Sequence, residues 1–234
     1  MKISQPVVIV AGAGGAGAVL TQYLVKRDVR VVLLDSKADV AAAVAEPLIH
    51  NGLPVTWQAI DLLDMEQIVA IRNQLSTDYG RIDGIVHLVG GWRGSPTLDL
   101  ASVKNWITLA PPIVGTLASI TAVLSEGIRT SDRGRIIMVT STEARKPTAG
   151  NIAYASAKAA AEAWMQGVSD YFRDTEAAAV TIAVKALLTD KMITANPTRD
   201  FSGFTHVNYL AEVITDLILG DAVNGSCIDL TLTN

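Results

Sequence analysis

The run Val7-Val-Ile-Val10 meets glycine almost at once, in Ala11-Gly-Ala-Gly-Gly-Ala-Gly-Ala18. An apolar run without alternation is the pattern of a strand buried on both faces. A helical pattern follows from Val19 to Arg27. Strand, glycine turn and helix make the first half of a dinucleotide-binding unit, and Gly12, Gly14 and Gly17 satisfy G-x-G-x-x-G, with Gly15 between them. Glycine lets the backbone turn tightly and approach a pyrophosphate, which the helix N-terminus then stabilises. The competing reading is a tight turn that holds no ligand. In either case a doubly buried strand at the start commits the chain to a sheet covered by helices on both sides.

The remainder keeps that alternation. Val29 to Leu34 reads as a second strand ending in Asp35. An acid there accepts hydrogen bonds from adenosine ribose hydroxyls and repels a 2′-phosphate, which favours NAD(H) over NADP(H); Lys37 is a nearby cation that softens the preference. A helix from Asp39 to His50 stops at Asn51-Gly52, and Val55 to Ala59 is a short third strand. Asp61 is placed to meet the adenine edge, and Asp64 reads as the N-cap of a helix from Met65 to Thr77. Ile82 to Val89 is a fourth strand, and Val89 and Gly90 leave its end beside the expected cofactor. Trp92 follows, either a flat wall for a planar substrate or a lid residue, while His87 among apolar neighbours reads as structural.

Ser102 to Gly127 carries a helical pattern expected to break at Pro111-Pro112. Arg135 to Thr140 is a fifth strand, Asn151 to Arg173 a helix, and Val180 to Leu188 a sixth strand followed by Thr189, another expected cofactor neighbour. The stretch 193–207 is the least regular and reads as a substrate flap. Asn208 to Leu219 is a last helix and Cys227 to Leu232 a last strand. Strand and helix alternate throughout, so the expectation is an α/β chain, residues 1–234 as one Rossmann-type domain, with a doubly wound parallel sheet of about seven strands.

Composition excludes several functions. A hydrophobic share of 50% in 234 residues supports a large core. The net charge of −4, without a basic run, gives no electrostatic case for nucleic acid or an anionic membrane. The single Cys227 excludes an internal disulfide framework and is expected to be a small buried residue. No cluster has metal-ligand spacing. With no cleavable leader and no uninterrupted span of membrane length in the pattern, a soluble cytoplasmic protein is the expectation.

Chemistry concentrates in Ser141 to Lys158, STEARKPTAGNIAYASAK. Tyr154 and Lys158 are four apart and share a helix face. Ser141, thirteen residues before the tyrosine, follows the fifth strand and so lies at the carboxyl edge of the sheet. That edge is where open α/β sheets bind ligands. An unperturbed phenol, with a pKa of about 10, is a poor proton carrier near neutrality. A neighbouring ammonium favours the phenolate, and a serine hydroxyl can hold a substrate oxygen in line.

These features together resemble the short-chain dehydrogenase/reductase family, over nearly the whole chain. The resemblance implies a nicotinamide cofactor, hydride transfer paired with proton transfer through Tyr154, a Lys158 that binds the nicotinamide ribose and lowers the tyrosine pKa, and a Ser141 that orients the substrate. Asp35 matches the NAD-selecting acid and Asp61 the adenine-binding acid. The chain departs from the family pattern in a shorter glycine turn, in His87-Leu88-Val89-Gly90 where Asn-Asn-Ala-Gly is usual, in Pro112 at the place of the relay asparagine, and in Leu187-Leu188 where Pro-Gly is usual. Gly90-Gly91-Trp92, Ile182-Ala-Val184, Asp200-Phe-Ser202 and the ending Cys227-Ile-Asp-Leu-Thr are similar to the dihydropteridine reductase branch, whose members typically lack the serine present here as Ser141.

The leading expectation is an NAD(P)(H)-dependent oxidoreductase acting on a small carbonyl or alcohol. One alternative is reduction of a quinonoid or C=N bond on a Trp92 platform; another is a dinucleotide-binding sensor without catalysis. The alanines at 153, 157, 160 and 161, beside Trp164 and Val168, suggest close helix–helix contact in a homodimer or homotetramer.

Overall fold

The computed structural model describes residues 5–231. A parallel sheet of seven strands forms its centre, in the order β3-β2-β1-β4-β5-β6-β9. The strands are β1 (Val7–Ala11), β2 (Arg30–Asp35), β3 (Val55–Ala59), β4 (Gly84–His87), β5 (Arg135–Ser141), β6 (Ala178–Val184) and β9 (Cys227–Asp229). The order steps outward from β1 in both directions, so the connections after β1 and after β4 leave on opposite sides. That reversal opens a crevice at the carboxyl edge.

Strand alternation divides the core. Val7, Ile9 and Ala11 of β1 join one apolar layer, and Val8 and Val10 the other. The first layer packs against α3 (Met65–Tyr79), α5 (Thr116–Arg129) and α6 (Ile152–Tyr171). The second packs against α1 (Gly15–Lys26), α2 (Ala38–His50) and α8 (Val207–Leu219). Every residue of β1, β4, β5 and β6 is buried, which is why these strands lack polar alternation. Asp64 caps α3 as expected, accepting from the backbone N–H groups of Glu66 and Gln67.

Four sequence expectations need correction. The helix does not break at Pro111-Pro112. Helix α4 (Leu100–Ala110) runs through a π turn, Pro111–Gly115, straight into α5. The Thr116 N–H donates to the Pro111 carbonyl, five residues back, so the chain widens by one residue per turn where prolines bring no donors. The resulting helix, Leu100–Arg129, is therefore also long and apolar enough to cross a membrane, against the earlier reading. Its inner residues Leu109, Ile113, Leu117, Ile120 and Leu124 pack into the apolar layer on one face of the sheet.

Cys227 is exposed, because β9 is the edge strand and pairs on one side only; its Sγ accepts from Arg145 Nη2 at 2.7 Å. The expected end of that strand, Leu232, lies outside the described residues. Three of the four α6 alanines are taken internally, since Ala153, Ala157 and Ala161 are buried against the sheet while Ala160 is half-buried. The face that α6 turns outward carries Ala163, Trp164 and Gly167.

The irregular stretch after β6 has more structure than its sequence suggests. It contains α7 (Asp190–Ala195) and is closed at its base by a parallel pair, β7 (Leu187–Leu188) with β8 (Thr205–His206).

Candidate active site

In the glycine turn, Gly12 and Gly17 are the positions where the backbone itself requires glycine. Gly12 has φ +101°, and its N–H donates to the Leu34 carbonyl at 2.8 Å. A Cβ on Gly17 would stand 1.8 Å from the Gly12 carbonyl oxygen, so α1 packs directly on the turn only without one. Gly14 faces open space and is the N-cap of α1 without a side-chain cap, leaving the first N–H groups of the helix to a ligand. Thr189 approaches this turn from above, since a Cβ on Gly15 would meet its methyl at 3.6 Å.

Asp35 secures the same turn. Its Oδ2 accepts from the Ala13 N–H at 2.8 Å and its Oδ1 from the Lys37 N–H at 3.0 Å. Each oxygen keeps a further lone pair for a ribose hydroxyl. Asp61 also folds on itself, with Oδ1 accepting from the Leu63 N–H at 2.9 Å. Gly12, Gly14, Asp35, Asp61, Val89 and Gly90 line one cavity of about 390 Å³. Val89 and Gly90 also line a second, of about 550 Å³, with Trp92, Tyr154 and Lys158. The two form one groove along the carboxyl edge. Open helix N–H groups, a bare glycine cradle and an acid at the end of β2 fit a nicotinamide dinucleotide.

Tyr154 and Lys158 line the second cavity, and Ser141 is buried behind its wall between the lining residues Thr140 and Glu143. Ser141 ends β5 and is 2% exposed; its hydroxyl accepts from the Glu143 N–H at 3.2 Å and lies near enough to the Tyr154 phenol to favour its ionised form. Lys158 Nζ lies 6.0 Å from the Tyr154 ring centre. It donates to the Val139 carbonyl at 2.8 Å, a backbone partner that no side-chain motif reveals. Burial lowers the Lys158 pKa to about 8, opposed by the carboxylate of Glu162 one turn on. The expected lowering of the tyrosine is not what this structure holds. Burial raises Tyr154 above its ordinary value, the Ser141 hydrogen bond pulls it down, and the Glu143 carboxylate pushes it up. The resting phenol is therefore protonated at neutrality.

His87 occupies the departure from the Asn-Asn-Ala-Gly pattern. Its Nε2 meets Thr116 Oγ1 at 2.8 Å, and that hydroxyl donates to the Pro112 carbonyl at 2.7 Å. With its one proton spent on Pro112, the threonine accepts, so His87 is the Nε2–H tautomer. Burial, with the nearby Lys158 charge, lowers its pKa to about 3. It is a structural histidine, as its neighbours suggest, and it bridges β4 to the π turn. Trp92 is 65% exposed on the loop after β4. Glu143 and Arg199 also line the cavity, and sequence reasoning missed both. Glu143 was legible only as the residue two past Ser141, and Arg199 carries no motif.

A family model described as short chain dehydrogenase matches residues 5–200. The chain belongs to the short-chain dehydrogenase family. This short-chain dehydrogenase is 27% identical over 160 residues to the 3-oxoacyl-acyl-carrier-protein reductase of Vibrio harveyi, covering 68% of this chain and 64% of the relative. Matches to two other curated relatives span only 59% and 66% of their length. Among solved structures it is similar to a gluconate 5-dehydrogenase from Burkholderia cenocepacia in complex with NADP and tartrate, with a TM-score of 0.82 and 18% identity, over 96% of this chain and 93% of that one. It is likewise similar to an NAD-bound xylitol dehydrogenase, with a TM-score of 0.81 and 16% identity, over 98% and 99% of the two chains. At these identities the structures establish the fold.

The buried imidazole gives a pH signature. The unfolded chain takes up a proton at His87 near pH 6.5 and the folded chain only near 3, so the unfolded state binds more protons between these values. Stability therefore falls as the pH falls through that window. Between pH 6.5 and 4.5, His87→Asn is expected to lose about 2 kcal/mol less than the parent in urea unfolding. Equal losses in the two proteins would remove His87 from the account.

Proposed function

We propose that this short-chain dehydrogenase is an NAD(P)(H)-dependent oxidoreductase that interconverts a small carbonyl compound and its alcohol. The observation that carries this reading is the Ser141 hydroxyl near the Tyr154 phenol, beside the Lys158 ammonium, at one end of a groove that suits a dinucleotide. A bound nicotinamide supplies or accepts the hydride. The chain's own groups handle the proton and the geometry.

In carbonyl reduction, Tyr154 donates its phenolic proton to the substrate oxygen, which the Ser141 hydroxyl holds in line. Lys158, fixed on the Val139 carbonyl, keeps a positive charge near the phenolate that this leaves. It also reaches Gly90, where a Cβ would stand 3.9 Å from Nζ, and so faces the ribose side of the groove. Because burial holds the resting phenol protonated, the free enzyme is set for reduction, and oxidation requires the proton to leave first. Val89, Gly90 and Thr189 serve as apolar and hydroxyl walls for the cofactor. Trp92 with the segment 193–207 encloses the substrate.

The Ser141 hydroxyl beside the Tyr154 phenol favours this reading over reduction of a planar heterocycle, which needs no serine. A non-catalytic sensor needs none of the trio. Asp35, with lone pairs free beside the turn, supports NAD(H) as the preferred cofactor.

The outward face of α5 and α6 supports self-association. Trp164 and Tyr171 are 41% and 45% exposed there, beside Ala163 and Gly167, and Gly167 has open space where a side chain would stand. Small residues next to aromatic ones permit the close approach of a second copy.

Three outcomes follow from this reading. Tyr154→Phe should lower kcat on a carbonyl substrate by about 10²–10⁴-fold with NADH binding retained, as steady-state kinetics and fluorescence titration would measure. Full turnover in that variant sinks the mechanism. Calorimetric titration should find NADH bound about tenfold or more tighter than NADPH, with the gap closing in Asp35→Ser; the reverse order would transfer selection to Lys37. Light scattering at micromolar concentration should give at least the dimer mass, reduced by Trp164→Glu, and a monomeric parent would reject association through this face.

A further inference from the structure

Glu143 is the feature that the mechanism above leaves unused. It sits in the short 3₁₀ turn Thr142–Arg145 that follows β5, and its side chain lines the cavity shared with Tyr154. Its Oε2 is buried from solvent, and among the described residues no group donates a hydrogen bond to it. Other carboxylates packed against β5 and α6 are satisfied. Glu162 accepts from Thr140 Oγ1 at 2.8 Å and faces Arg145 Nε at 3.7 Å. Arg145 is thereby turned away from Glu143, towards Glu162 and Cys227. Buried acceptors without a donor are rare in folded proteins and require a reason.

The orphan lies close to the chemistry. The Ser141 hydroxyl accepts from the Glu143 N–H at 3.2 Å, both residues act on the Tyr154 phenol, and Glu143 and Tyr154 line the same cavity. The terminal torsion of a glutamate is broad, so a small rotation delivers either oxygen to the cavity.

A second wall of the same cavity carries opposite charge. Lys185 leaves the end of β6 with Nζ donating to the Ser202 carbonyl at 2.9 Å and lying over the Phe204 ring. Arg199 stacks on the rings of Phe201 and Phe204, which pack edge to face with centres 5.6 Å apart. Asp200 feels the charge of Lys185 but is held in its own turn by Ser202. Aromatic stacking fixes the planar fork of Arg199 and leaves its N–H edge for an anion.

We propose that Glu143 accepts a hydrogen bond from a hydroxyl on the substrate carbon next to the reacting one, while Arg199 and Lys185 receive a carboxylate at the far end. The preferred substrates are then short hydroxy acids with adjacent hydroxyls, or the matching keto acids. This rests on the oxidoreductase reading and names its substrate class. Simple alcohols leave Glu143 unpaired, and neutral polyols leave the cations unpaired, so both are selected against.

A matched series tests this: L-threonate, 3-hydroxybutanoate (no adjacent hydroxyl) and threitol (no carboxylate), with the six-carbon set gluconate, 3-hydroxyhexanoate and glucitol, each assayed with NAD and with NADP. In the parent, kcat/KM for the better polyhydroxy acid should exceed that of its mono-hydroxy partner by about 100-fold. Glu143→Gln and Glu143→Ala should each reduce that ratio at least tenfold. Arg199→Gln should reduce the ratio of acid to polyol in the same way. Parent ratios near unity, or ratios unchanged in the variants, overturn the proposal. If no compound is turned over, binding decides. Quenching of Trp92 fluorescence by threonate or gluconate with NAD present, lost in Glu143→Gln and in Arg199→Gln, upholds the subsite and places the failure in the proposed reaction. Quenching that is absent, or equal for 3-hydroxybutanoate, overturns the subsite itself.

Discussion

The hydrogen bond from Lys158 to the Val139 carbonyl is the contact on which the site depends. It joins the middle of α6 to the last turn of backbone before Ser141, across the junction of helix and sheet. A buried ammonium is costly unless its donors are used, so the bond fixes the height at which α6 rides along β5. That height sets Tyr154, one turn earlier, level with Ser141 at the strand end. Glu162, one turn later, takes the hydroxyl of Thr140 and completes the alignment. The lysine is therefore a structural fastening as well as a charge, and the two roles use different protons of the same ammonium.

On the other side of the sheet, the reversal of strand order at β1 and β4 does comparable work for the cofactor groove. The glycine turn leaves β1, the Gly90 loop leaves β4, and nothing crosses between them. His87 keeps this region closed beneath the groove by holding the π turn to β4. A neutral imidazole and a threonine hydroxyl here replace the asparagine-rich contacts of the family pattern. The substitution retains buried hydrogen bonding at the price of adding a titratable group to the core.

Much of this was legible from residue types. The third strand, Val55–Ala59, has the bounds its composition suggested, and the glycine spacing indicated the turn that Gly12 and Gly17 make. The tyrosine and lysine spacing indicated a shared face. What was hidden depends on relations that no local window contains. Pro111-Pro112 predicts a break because proline lacks a donor, yet the buried residues on either side hold the helix together and a π turn absorbs the defect. Cys227 looked buried because its strand is apolar, but an edge strand has one covered side. Of the α6 alanines that suggested an outer contact, the core takes Ala153, Ala157 and Ala161. Glu143 and Arg199 approach each other's cavity only because β5, β6 and the β7–β8 pair deliver them there. The tyrosine pKa runs against expectation because burial, invisible in sequence, outweighs the lowering by Ser141.

The two-residue pairing of β7 with β8 has a wider consequence. It brings both ends of the intervening segment together, so most of the entropy of closing that loop is met at its base, and added length changes the cost only slowly. The segment supplies Arg199 and the aromatic pair beneath it, while none of its interior residues enters the two core layers. It is in effect a removable cartridge. Its length and side chains can be exchanged while the sheet, the fastening lysine and the cofactor groove stay as they are, which makes it the natural place for one scaffold to acquire a different substrate.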